Sequence, residues 1–380
     1  MHYTVISSEN SSSCGGIFYN VPTGKEIDRI YKIVANKCQS CLEEKYKEDF
    51  EIYLKAKMRL EQELDLMKQT KCAFEFFLVE AIFQYSLNDG YPILLRGSLA
   101  GSFIAYLLGV SNINPIAPET WIDIEMVWKL KVGNIIPPNF EIGIASSIRE
   151  GLSHFLNCTP DFYNIKANRE IYKCLSMPHN IMCSEIGELM RKTNADYDGS
   201  VREEVANGAF QTWIDNQIEF IHQRIIEDGI KEKLYARDMV LLQEMRSMEN
   251  VNKEMFTKLY AYFFMGYKGK KTLSGIRRAD FHVFRDDLYS ALLDFNISRE
   301  TTAELVFYKI GHAVLCDNMM YVNQLAEYGV PKKLINYYRK VYNLWDKAAC
   351  ISRVNMYYIL EWYKQNYPVE YEEVVNGGAN

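Results

Sequence analysis

The stretch SLNDGYPILLRGSLAGSFIAYLLGVSNINPIAP, residues 86–118, decides the fold. Asn88-Asp89-Gly90 is turn chemistry that ends a mostly apolar helix over Ala73–Leu87, and Pro92–Leu95 follows as a short apolar strand. The strand enters a loop of small residues, RGSLAGS (96–102), which runs into the apolar helix FIAYLLGV (103–110) and exits through NINPIAP. Small residues at a strand-to-helix junction let backbone N–H groups approach an anion, and a helix start adds a favourable dipole. Arg96, Gly97, Ser98, Gly101 and Ser102 are therefore candidates for binding a phosphate or nucleotide. The same residues equally suit a tight turn needed only for close packing.

Upstream, residues 1–25 are rich in Ser and Gly and read as a loose arm, with residues 1–43 as a partly disordered N-terminal segment. From Glu44 to Lys71, Tyr46, Phe50, Leu54 and Met58, then Leu60, Leu64 and Met67, recur at helical spacing among charges, with Glu51 and Lys55 at i,i+4. One long amphipathic helix is predicted there. Downstream, WIDIEMVWK (121–129) alternates with period two and FEIGI (140–144) is a second strand. Beyond Ser147 the spacing turns helical over Arg202–Ile230, Arg237–Met248, Phe256–Phe264, Phe284–Phe295, Thr301–Ile310, Pro331–Trp345 and Val354–Tyr367.

Of the 380 residues 48% are hydrophobic, enough for one large or two medium cores. No run of eighteen uncharged apolar residues occurs and the start, MHYTVISSENSSSCGG, lacks a signal-peptide pattern, so a cytoplasmic protein without a membrane partner is expected. Nine cysteines, an odd number at irregular spacing, point to buried thiols rather than a disulfide framework. Cys38 and Cys41 form one CxxC with no second pair to complete a zinc site, and no role is assigned to them. The 43 basic and 49 acidic residues leave a net charge of −6, so nucleic-acid affinity requires a local basic patch. GYKGKKTLSGIRR (266–278) supplies Lys268, Lys270, Lys271, Arg277 and Arg278 beside Tyr267, and Lys332, Lys333, Arg339 and Lys340 flank Tyr337 and Tyr338.

In order along the chain, SLNDGY, RGSLAGS, the helix ending in LLG, and NINPIAP resemble the alpha subunit of bacterial DNA polymerase III, its PolC type in particular. That family reads SLxDGY, RGSxxGS, LLG and NPLPP in the same order. At the other end KAACISRVNMYYILEWYKQNYPVEYE (347–372) is similar to the helix that closes the family's fingers, and FRDDLYSALLDFNISRETTAELVFYKI (284–310) and GVPKKLINYYRKV (329–341) keep the family's order. The resemblance brackets residues 45–372. It implies an α+β, predominantly helical fold, with a small nucleotidyltransferase-like palm sheet in 44–175 followed by a helical fingers-like region in 176–380. It also implies DNA, a nucleotide or a protein of the replication machinery as partner.

Polymerase chemistry holds two divalent ions on carboxylates, and in the family three aspartates do this. The first two lie in a PD(I/F)D strand, which the resemblance lays on PNFEIGIASSIREGLSHFLN (138–157), making them Asn139 and Glu141. An amide is a poor Mg²⁺ anchor, and the added methylene of Glu141 moves its oxygens from tight octahedral geometry. The third falls near KCLSMPH (173–179), at Leu175 and Ser176. A rival register places paired carboxylates at Asp123 and Glu125, since one strand presents alternate residues on one face. The family's nucleotide-side His and Tyr of KAHxxxY correspond to Ala349 and Arg353, and its basic run to GHAV (311–314). The expectation is a non-catalytic pseudo-polymerase with no metal or cofactor, a regulator or decoy. Two alternatives stay open: an active nucleotidyltransferase using Asp123, Glu125 or Glu141 with Mg²⁺ or Mn²⁺, and an interaction scaffold that keeps only the fold.

Overall fold

The computed structural model describes residues 6–9, 16–131, 134–197, 203–227, 235–268, 271, 282–310 and 319–377. The chain forms two compact units, one of residues 1–129, 134–196 and 367–380, the other of residues 130–133 and 197–366. The architecture is α+β and predominantly helical.

In the first unit, strands β1 (Ile6–Glu9) and β2 (Gly16–Pro22) precede three helices, α1 (Gly24–Tyr46), α2 (Phe50–Thr70) and α3 (Ala73–Asn88). Then come β3 (Leu94–Arg96), α4 (Phe103–Leu107), α5 (Ile124–Val127), β4 (Lys129–Lys131, of which 130–131 belong to the second unit), β5 (Asn134–Ile136), β6 (Glu141–Gly143), α6 (Ser146–Cys158), α7 (Pro160–Tyr163), β7 (Ala167–Ser176) and α8 (Ile181–Thr193). Five strands make one sheet in the order β1-β2-β7-β6-β3. Its neighbours are antiparallel except β6 and β7, which run parallel.

The sheet is completed by segments that local periodicity does not mark. β1 and β2 stand where a loose arm is expected from composition, held because β2 pairs along nearly its whole length with β7, from Gly16↔Ser176 to Pro22↔Ala167. β7 itself lies between Ser147 and Arg202, ahead of the segments with helical spacing.

Helix α3 is apolar on every side and correspondingly buried. The Phe74 ring lies 5.0 Å from Tyr19 of β2, and Phe76 lies 5.0 Å from Phe140. Its one buried acid, Glu75, accepts from the Tyr19 hydroxyl at 2.9 Å and pairs with Lys173 of β7 at 2.6 Å, tying helix to sheet. Burial and this carboxylate together raise the Tyr19 phenol above its ordinary range.

The helix predicted from Glu44 to Lys71 is interrupted at Lys47–Asp49. Asp49 takes extended backbone and its carboxylate accepts from the Glu51 and Ile52 N–H groups, so α2 starts afresh there. The inward face also differs from the stripe drawn on the sequence. Ala56, Arg59, Leu60, Glu63 and Met67 are buried, whereas Phe50, Leu54 and Met58 are exposed.

The second unit contains α9 (Glu203–Glu227), α10 (Ala236–Arg246), α11 (Lys253–Phe264), β8 (Gly266–Tyr267), α12 (Arg285–Leu293), α13 (Arg299–Glu304) and a π-helical turn over Leu305–Ile310. It continues with α14 (Met319–Glu327), α15 (Lys332–Tyr338), β9 (Val341–Asn343) and α16 (Lys347–Asn366); α17 (Pro368–Tyr371) belongs to the first unit. The helix predicted over Pro331–Trp345 stops at Tyr338 because the next residues pair as β9 with β8. Trp213 is fully buried among Phe210, Phe256, Tyr260 and Phe263. Gly208 lets α9 and α16 approach closely: a Cβ there would collide with the side chain of Glu361, a buried acid that accepts from Thr212 at 2.9 Å. Among the described residues no helix is long and apolar enough to cross a membrane.

Candidate functional site

The RGSLAGS turn divides into two halves with different surroundings. At the first half, β3 pairs with β6 so that Arg96 stands opposite Glu141, and the two side chains form an ion pair at 2.9 Å. Both are about one-quarter to one-third exposed, at 30% and 26%. Gly97 adopts φ +67°, a conformation open to glycine, and the Asn139 side chain sits 3.1 Å from where a Cβ would be. Buried Ser98 accepts from the Asn139 backbone N–H at 3.1 Å.

The second half is internal. Ser102 caps α4 and donates to Glu63 at 2.7 Å, while the Phe103 and Ile104 N–H groups donate to the same carboxylate at 2.9 and 3.3 Å. Glu63 is completely buried and paired with Arg59 at 2.8 Å, and Arg59 also donates to the Ile122 carbonyl at 2.8 Å. The start of α4 thus already holds an anion from its own chain. Of the five phosphate candidates, Ser102 is engaged by this buried pair, Gly101 is buried, and Arg96, Gly97 and Ser98 remain at the sheet edge beside residues 139–141. Sequence reasoning missed Arg59 and Glu63. Their signal was an Arg and a Glu four apart on α2.

The acids follow the sheet register. Glu141 of β6 stands beside Ser176 of β7 across the parallel pair, so the Leu175–Ser176 stretch near which the third family aspartate is expected lies next to the second position and carries no acid. Asn139, two residues earlier, is exposed. Asp123 and Glu125 are not on a strand, contrary to the period-two reading: Asp123 precedes the single helical turn of α5, and Glu125 within it is buried. The apolar residues of that segment, Ile122, Met126, Val127 and Trp128, are all buried, with Trp128 against Phe76 at 6.0 Å, so compact packing and not alternation accounts for them.

Two-metal chemistry requires converging carboxylates. The residues at the family's positions do not fit such a centre: an amide at Asn139, a carboxylate at Glu141 paired with a guanidinium, and no acid at Leu175 or Ser176. Among the described residues no three His, Cys, Asp or Glu side chains gather in a metal-holding group.

The basic candidates are partly visible. Lys268 is exposed, and its backbone N–H donates to the Lys340 carbonyl at 2.8 Å, so the two basic stretches of the sequence meet at that point. Lys271 instead turns inward, donating to the Phe263 carbonyl at 2.6 Å; burial lowers its ammonium pKa, opposed by Asp238. Lys270, Arg277 and Arg278 lie outside the described residues, as does 311–314. Ala349 is buried, and the Arg353 guanidinium lies over the Trp345 ring at 4.9 Å.

A family model of the bacterial DNA polymerase III alpha NTPase domain matches residues 32–246, more than half of the chain. Among curated proteins, the PolC-type DNA polymerase III of Thermotoga maritima is 34% identical over 61 residues, 16% of this chain and 4% of its own. That of Streptococcus pneumoniae serotype 4 is 29% identical over 117 residues, 29% of this chain and 8% of its own. The DNA polymerase III subunit alpha of Buchnera aphidicola is 31% identical over 111 residues, 29% of this chain and 9% of its own. The matched stretches thus span less than a tenth of each relative's length.

Proposed function

Because the chain belongs to the bacterial DNA polymerase III alpha NTPase domain family, we propose that it is a pseudo-polymerase: a palm and fingers without nucleotidyl transfer, acting in the cytoplasm on nucleic acid or a replication protein as a regulator or decoy. The observation that carries this reading is the state of Glu141. It is the single acid where the resemblance puts metal ligands, it is paired with Arg96 at 2.9 Å, the first position is Asn139, and the third falls at Leu175–Ser176 with no acid. A carboxylate neutralised by a guanidinium, with an amide at the first position and no acid at the third, is a weak anchor for a hard divalent cation.

The test is extension of a primed template with all four deoxynucleotides and Mg²⁺ or Mn²⁺, beside an Asp123→Ala/Glu125→Ala/Glu141→Ala variant. We expect no extension above background from either protein. Metal-dependent extension that disappears in the variant would restore the active nucleotidyltransferase. Nucleic-acid contact is assigned to the surface around Lys268 and Lys340. Affinity for single-stranded DNA is expected to fall steeply with KCl and to drop further in Lys268→Glu/Lys340→Glu, because phosphate contacts release counterions. No binding at low salt would leave a protein partner.

A further inference from the structure

The first half of the RGSLAGS turn is covered residue by residue by the segment that follows Pro138. Glu141 holds Arg96 at 2.9 Å, the Asn139 side chain lies over Gly97 within 3.1–3.6 Å of where a Cβ would stand, and the Asn139 N–H occupies the Ser98 hydroxyl oxygen at 3.1 Å. We propose that residues 139–141 are a built-in plug on the Arg96–Ser98 turn, which takes a polyphosphate only when Glu141 releases Arg96.

The inference rests on the pseudo-polymerase reading, in which 139–141 has no metal to hold. Its physical basis is competition for one guanidinium. Arg binds phosphate oxygens by the same paired N–H donors that bind a carboxylate. Glu141 brings its carboxylate within 2.9 Å of the Arg96 Nε as an ion pair and places a negative charge where a polyphosphate would sit. The pair is partly exposed and therefore weakly held, so the plug is displaceable. Asn139 adds a steric element, since its side chain lies directly over Gly97.

The experiment titrates inorganic pyrophosphate and tripolyphosphate into the full chain in metal-free, low-salt buffer, read by calorimetry and thermal shift. Wild type is expected to show no saturable binding at millimolar ligand. Glu141→Gln, confirmed folded by circular dichroism, is expected to bind at least tenfold more tightly, and adding Arg96→Met is expected to abolish the gain. Glu141→Asp, whose carboxylate is one methylene shorter, is the second variant should Glu141→Gln fail to fold, with a smaller gain expected. Equal binding by wild type and variant, or a folded variant of either kind that binds nothing, overturns the plug. Neither of those results touches the pseudo-polymerase reading, which primer extension tests separately.

Discussion

Two carboxylate–arginine pairs, both at the RGSLAGS turn, differ in burial and so in consequence. Glu63 is fully enclosed and accepts from Arg59 Nε, Ser102 and two N–H groups of α4. Removing it leaves a buried guanidinium and open helix donors, so Glu63→Ala is expected to lower the unfolding free energy by about 3–5 kcal/mol in urea titrations. Glu141 pairs with Arg96 at the rim. Its replacement by Gln is expected to cost less than about 1 kcal/mol in the same assay, because water screens the exposed pair. Equal effects would mean that burial does not separate them. Gly97→Ala combines a left-handed backbone with the Asn139 side chain close above it, and a loss of roughly 1–2 kcal/mol is expected from the backbone alone.

Among the elements, α2 has a stripe that faces out. Phe50, Leu54 and Met58 are exposed while Leu60 is 1% exposed. Serine at all three outward positions is expected to change stability by no more than roughly 0.5 kcal/mol each, and Leu60→Ala by about 2–5 kcal/mol, as read from urea midpoints. Between α12 and α16 the relevant group is Asp286. It is 9% exposed, accepts from the Lys347 N–H at 2.9 Å, and burial, reinforced by Asp346 and Asp287, pushes its carboxyl up to about 7. The unfolded carboxyl titrates at about 4. Between those values the folded chain keeps a proton that the unfolded chain has released, so stability falls as pH rises from about 4 to about 7. In the first unit Glu185, pushed up to about 7 by burial and Glu188, acts with the same sign. Asp286→Asn is expected to flatten the contribution of Asp286 in a pH series of urea midpoints while keeping an acceptor for Lys347. An unchanged slope would remove Asp286 as its source.

At the scale of the whole molecule the cysteines report the folded state. Among the described residues Cys38, Cys72, Cys183 and Cys350 are buried and Cys158 and Cys174 exposed, and burial pushes the Cys183 thiol up to about 12. Iodoacetamide followed by peptide mass spectrometry is expected to label Cys158 and Cys174 in native protein and the buried four after unfolding. The order of helix, turn, strand and small-residue turn over 73–102 was legible in the sequence because turn and capping chemistry acts between near neighbours. The substitutions Asn139 and Glu141 could be read the same way, from a motif a few residues long. What the sequence did not contain was who meets whom. Nothing local brings Glu63 to Ser102, sets Ser176 beside Glu141, or recruits residues 16–22 to β7, since each contact joins positions 35 or more apart along the chain. Helical period marked α2 as having an apolar stripe without saying whether anything covers it, and alternation at 121–129 came from residues packed in a turn. Periodicity records the chain's local geometry, whereas burial and pairing are properties of surfaces formed only when distant segments close on one another.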